Sequence, residues 1–171
     1  VNDALALDNV AFRDATPYLD LPSGVDLEID ITAASAPDNS NPVFSTTLNL
    51  QDGVDYIAVA AGDPAATSGP TAFGLVATNL GRRTAQNPAS AEFLVFHGSP
   101  DAPTVDVVAR GVGTLVNDIS FPSFNSGYLA VPPASYTLDV TLQDGLTRVA
   151  SFTADLSGAA GASFVVLASG F

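Results

Sequence analysis

Two stretches of this chain are versions of each other, and that self-similarity limits what it can fold into more than any other feature. The segment NVAFRDATPYLDLPSGVDLEIDI, residues 9–31, matches DISFPSFNSGYLAVPPASYTLDV, residues 118–140. Phe12 falls on Phe121, Tyr18 and Leu19 on Tyr128 and Leu129, Pro22 on Pro132, and Leu27 on Leu138. Further on, LNLQDGVDYIAVAAG ends as DLSGAAGASFVVLASG does: Gly53 falls on Gly161, Tyr56 on Phe164 and Gly62 on Gly170. The period is about 108 residues, so each unit is one small β-sandwich, a fold of roughly 100 residues.

Within the units the local pattern is that of strands. Val25, Leu27, Ile29 and Ile31 alternate with Asp26, Glu28, Asp30 and Thr32. One face therefore enters a core and the other shows three carboxylates to water. Tyr136, Leu138, Val140 and Leu142 alternate in the same way with Thr137, Asp139 and Thr141. Residues 1–10, 44–50, 56–61, 73–78, 115–121, 128–131, 152–156 and 163–169 are further strand segments, and YIAVAA at 56–61 is apolar enough for burial on both faces. Residues 36–42 and 63–71 are loops, and Gln143-Asp144-Gly145 is a hairpin-like turn. No window of about 11 residues carries a helical period. The expected fold is all-β: tandem immunoglobulin- or transthyretin-like β-sandwich units, the first incomplete. Residues 1–80 hold the partial first unit with its closing strand, 81–90 the linker, and 91–171 the second unit.

The stretch FLVFHGSPDAPTVDVVA, residues 93–109, reads as strand, tight turn, strand. It stands ahead of Phe121 in the second copy, and the first copy has no counterpart ahead of Phe12. The first copy runs on past Gly62 into FGLVAT, whereas the second stops at Phe171, leaving about one and a half units. His97-Gly98-Ser99-Pro100-Asp101-Ala102-Pro103 followed by Val105-Asp106-Val107 resembles the H-x-S-P-D-A-P-x-V-D-V signature of the DUF4397 domains. The segments Tyr128-Leu129-x-Val131-Pro132 and Tyr136-Thr137-Leu138 resemble that family as well. The resemblance covers the second copy and the later half of the first. It implies a secreted or surface-attached bacterial or archaeal protein, often tandem, with no established activity.

Charge and composition narrow the function. The net charge is −13, from 18 acids against five arginines and no lysine. Nucleic acid and anionic membrane surfaces are repelled, and no apolar run approaches the roughly 18 residues of a membrane span. The chain has no methionine, so a signal peptide or longer precursor is expected to have been removed. With one histidine and no cysteine, zinc is a poor fit. His97, Ser99 and Asp101 are the residue types of a hydrolase triad, but alternating positions on one strand and turn cannot form a relay, and no G-x-S-x-G elbow is present. The reading is structural: His97 bonds a neighbouring strand, and Asp101 accepts backbone N–H groups as in an Asx turn. Calcium candidates are Asp101, Asp106 and the acidic face of Asp26, Glu28 and Asp30. Arg82 and Arg83 form the single basic cluster and read as a solvated turn.

The expected function is an extracellular, non-catalytic structural or adhesive protein without a cofactor, self-associating or joined to other cell-surface proteins. The alternative is a calcium- or glycan-binding module of a larger surface protein. A sandwich short of strands exposes unpaired N–H and C=O groups that recruit another strand. Head-to-tail joining of chains, with residues 1–10 as the donated strand, would then build a filament.

Overall fold

The computed structural model describes residues 1–66 and 68–170; Thr67, within the loop expected over 63–71, and Phe171, the end of the second copy, lie outside the described residues. The described residues form twelve strands and no helix. They are β1 (Asp26–Ile31), β2 (Phe44–Asn49), β3 (Ile57–Ala61), β4 (Gly74–Thr78), β5 (Ala91–Gly98), β6 (Val105–Ala109), β7 (Gly113–Ile119), β8 (Ser123–Phe124), β9 (Leu129–Val131), β10 (Ser135–Leu142), β11 (Arg148–Asp155) and β12 (Ser163–Ser169). The fold is all-β, consistent with sandwich units.

The second unit is a sandwich of two sheets. One has the order β11-β10-β6-β7, all antiparallel. The other has the order β12-β5-β8, with β9 also on β5, and β12 runs parallel to β5. The core lies between them: Ala91, Phe93 and Val95 of β5 and Val131 of β9 meet Val105 of β6 and Val116 and Ile119 of β7. Each fully buried side chain of this size stabilises the fold by about 1.5–3 kcal/mol. Phe93 stacks on Phe164 of β12, ring centroids 5.6 Å apart. β5 is buried on both faces, Leu94 and Phe96 included, which is the pattern of a central strand with a parallel neighbour.

The first unit is built from two hairpins, β1-β2 and β3-β4. Phe44 of β2 meets Phe73, just before β4, edge to face. Among the described residues of this unit Leu27 is the one fully buried apolar side chain. Three expectations change at this point. Residues 1–10 form no strand. Val25, expected inside, precedes β1 and is 48% exposed. β3 is not buried on both faces, because its two-stranded sheet leaves Ala58 and Ala60 in solvent.

The repeat is visible in the backbone as well as in the letters. Gly53 and Gly161 share a left-handed conformation (φ 71° and 74°), as do Asn9 and Asp118 (φ 53° and 54°). Non-glycine residues adopt this conformation rarely. Its recurrence at Asn9 and Asp118 fixes the register between residues 4–10 and β7.

Candidate functional site

The histidine turn is a structural knot. His97, near the end of β5, is 2% exposed. Its Nε2–H donates to the Pro103 carbonyl at 3.1 Å, while Nδ1 has no partner among the described residues. The Ala102 N–H donates to the Ser99 carbonyl at 3.3 Å. A side chain on Gly98 would begin 2.9 Å from the Ala168 carbonyl oxygen of β12, so the turn leaves β5 where only glycine fits. Asp101 is exposed and forms no hydrogen bond among the described residues, so the turn is held by carbonyls and by His97 instead of an Asx bond. Neither Ser99 nor Asp101 bonds the imidazole, and the three side chains make no relay.

The candidate calcium ligands are kept apart. Asp106, on β6, is buried, and its Oδ1 accepts the Asp118 N–H at 2.7 Å. The β6–β7 register shifts at this residue, so the carboxylate satisfies the N–H that a bulge leaves without a ladder partner. Gln143 in turn donates to Asp118 Oδ1 at 2.9 Å. On β1, Asp26 accepts from the Asn49 amide at 3.0 Å and Asp30 from the Ser45 hydroxyl at 2.6 Å. Glu28 and Asp30 line a shallow hollow with Ser45, Thr46 and Thr47. Among the described residues no three His, Asp or Glu side chains come together as a metal site.

The unsatisfied feature is a strand position. In the second unit β10 lies between β11 and β6, and β6 lies between β10 and β7. In the first unit β1, the counterpart of β10, pairs with β2 alone. The segment matching β7, residues 4–10, forms no strand. Leu7 and Val10 are 44% and 54% exposed, whereas Val116 and Ile119, which they match, are each 5% exposed in the core. One contact crosses the space: the Asn2 N–H donates to the Glu28 carbonyl at 3.0 Å, and the Glu28 N–H donates to Asn2 Oδ1 at 2.8 Å. Glu28 thus turns its backbone away from β2, and by strand alternation Asp26 and Asp30 do the same. The expected donor, residues 1–10, is tied at Asn2 to its own chain's β1.

The two arginines couple the units. Arg82 Nη1 donates to Glu92 Oε2 at 2.7 Å, and its guanidinium stacks 4.4 Å from the Tyr128 ring centroid. Arg83 grips Asp55 through three contacts of 3.0–3.1 Å and stacks 4.6 Å from the Tyr18 ring centroid. The Tyr18 hydroxyl donates to the Arg82 carbonyl at 3.2 Å. Tyr18 and Tyr128 are repeat equivalents, so each arginine of the pair takes the same tyrosine from a different unit. Glu92 is buried and also accepts the Asn87 N–H at 2.9 Å. The N–H groups of Asn87 and Gln86, then Arg82, hold its carboxyl below the usual carboxylate range. Sequence reasoning took the arginines as a solvated turn and passed over Glu92. The available signal was the equivalence of the two tyrosines beside adjacent arginines.

This arrangement defines an all-β repeat protein whose two units share a register. The family model of the domain of unknown function DUF4397 matches residues 1–88 and 91–171, so the chain belongs to that family. No curated protein matches the chain, and no solved structure does.

Proposed function

We propose that this chain is an extracellular, non-catalytic structural or adhesive β-sandwich protein whose first unit is completed by strands from a neighbouring polypeptide. The observation that carries this reading is the open strand position beside β1, where β10 carries β6. Unpaired edges recruit strands by β-augmentation. Where the neighbour is another subunit, the joint is heterologous and repeats head to tail into a filament. A net charge of −13 argues against a polyanion or an anionic membrane as the partner. The test is made on native material, by electron microscopy and amide hydrogen exchange. The expected result is extended assemblies in which the β1 amides exchange slowly. Single, monodisperse chains with rapidly exchanging β1 amides would overturn the reading.

A further inference from the structure

Irregularities in two different ladders meet at one pair of residues in the second unit. The β6–β7 register shifts at Asp106, and the β10–β11 register shifts between Val140 and Thr141. Asp106 and Thr141 are direct partners in the β6–β10 ladder. Their side chains therefore leave the sheet on the same face, with Cβ atoms about 5 Å apart. That face is the outer one, because Val105 and Val140 beside them point into the core. An outward-facing acid and hydroxyl are ordinarily solvated, yet Asp106 is 3% and Thr141 4% exposed. The β10–β11 turn folds over them: a side chain on Gly145 would begin 3.8 Å from Asp106 Oδ2. Asp144 braces this turn, its Oδ1 accepting the Leu146 and Thr147 N–H groups at 2.9 and 2.8 Å. Gln143 ties the turn to Asp118 at the end of β7.

The covered oxygens carry charge that no arginine balances. Thr141 Oγ1 is buried and has no hydrogen-bond partner among the described residues. Asp106 accepts the Asp118 N–H through Oδ1, which leaves Oδ2 to the turn. The two arginines on this face, Arg110 and Arg148, both engage Asp139. Among the described residues neither Asp106 nor Asp118 pairs with an arginine. A buried charge is ordinarily paired or bound to a metal, and carboxylates beside a hydroxyl are the hard-oxygen set that calcium takes. We propose that Asp106 Oδ2, Thr141 Oγ1 and the Asp118 carboxylate bind a calcium ion beneath the β10–β11 turn. Asp118 is exposed, so water completes the shell on its side. The ion ties β6, β7 and β10 together. Two carboxylates and an open side place it among weak extracellular sites, with a Kd on the order of 10⁻⁴–10⁻³ M. The site lies within the second unit and is independent of how the first is completed.

The test strips the full chain with a chelator, titrates it with calcium chloride at constant ionic strength, and follows heat of binding and melting. The expected result is one saturable site in the range of about 10⁻⁴–10⁻³ M. The melting temperature rises with calcium and not with sodium chloride of equal ionic strength. Asp106→Asn keeps an acceptor for the Asp118 N–H and removes the charge. Thr141→Val keeps the shape and removes the hydroxyl. Both variants are expected to bind calcium about tenfold or more weakly. Without calcium, Thr141→Val is at least as stable as the parent, because it loses a buried hydroxyl that had no partner. Asp30→Asn, on the acidic face of β1, keeps the parent's affinity. No saturable binding up to about 10 mM calcium, well above the weak-site range, overturns the proposal. So does equal stabilisation by sodium chloride, parent-like affinity in the two pocket variants, or loss of binding in Asp30→Asn. If Asp106→Asn fails to fold, the affinity of Thr141→Val decides.

Discussion

Asp106 shows how a side chain decides the path of a strand. Its buried Oδ1 takes the Asp118 N–H at 2.7 Å, at the place where the β6–β7 ladder slips. Replacing it by alanine leaves that N–H without a partner inside the protein. The expected cost of Asp106→Ala is about 0.5–1.5 kcal/mol, the usual net worth of one hydrogen bond, because Asp118 itself is exposed and water can reach its side of the bond. Asp106→Asn keeps an acceptor oxygen and costs less. Urea unfolding of both variants checks this, and an alanine variant as stable as the parent would remove the role. The neighbouring Asp101→Ala, at an exposed position, is expected to leave the curve in place. From the letters alone Asp101 looked like the structural acid, because an aspartate between two prolines is the usual sign of an Asx turn. The bulge that gives Asp106 its partner depends on β7 and has no local signature.

At the level of elements, the segment 81–90 acts as a clasp. Arg82 holds Glu92 of β5 while stacking on Tyr128, and Arg83 holds Asp55 while stacking on Tyr18. A double-mutant cycle of Arg82→Ala with Tyr128→Leu should give a coupling of about 0.5–2 kcal/mol, the range of a partly desolvated cation–π contact. Arg82→Lys keeps the charge and loses the planar stack, so it should restore only part of the stability. Additive single mutants would show that the stack contributes nothing. The strands at either end of the clasp were legible, because period two and turn residues are local: the spans expected at 44–50, 73–78 and 163–169 fall within a residue of β2, β4 and β12. Partnership was not legible. Residues 1–10 have a strand's composition and match β7, yet a strand exists only where a ladder receives it, and theirs holds no β6. The same argument explains β3, whose apolar letters suggested a covered strand.

On the scale of the whole molecule, 18 acids against five arginines set up two opposing responses to acid. Protonating ordinary surface carboxylates near pH 4 relieves self-repulsion and favours the compact state. A smaller set is held down by the fold. Asp139 is gripped by Arg110 at 2.7 and 2.9 Å, with Ser151 and then Arg148 adding to the effect, and its pKa is lowered from 3.8 to about 2. Glu92 lies below its ordinary range through the Asn87 and Gln86 N–H groups and Arg82. Asp144 is lowered first by the Thr147 side chain, and Asp155 first by that of Ser157. A carboxylate whose folded pKa is depressed binds fewer protons folded than unfolded. Its stabilisation is fully present above the unfolded value and is lost as pH falls through the folded one. For Asp139 that window runs from 3.8 down to about 2. The melting temperature should therefore hold or rise slightly from neutral pH toward 4, then fall steeply between about pH 4 and pH 2. Arg110→Ala removes the main cause of the Asp139 shift, so the variant should melt lower near neutral pH and show a shallower acid limb. Circular dichroism melts of both proteins across pH 7 to 2 measure the difference, and identical acid limbs would show that the Arg110–Asp139 pair does not govern acid stability.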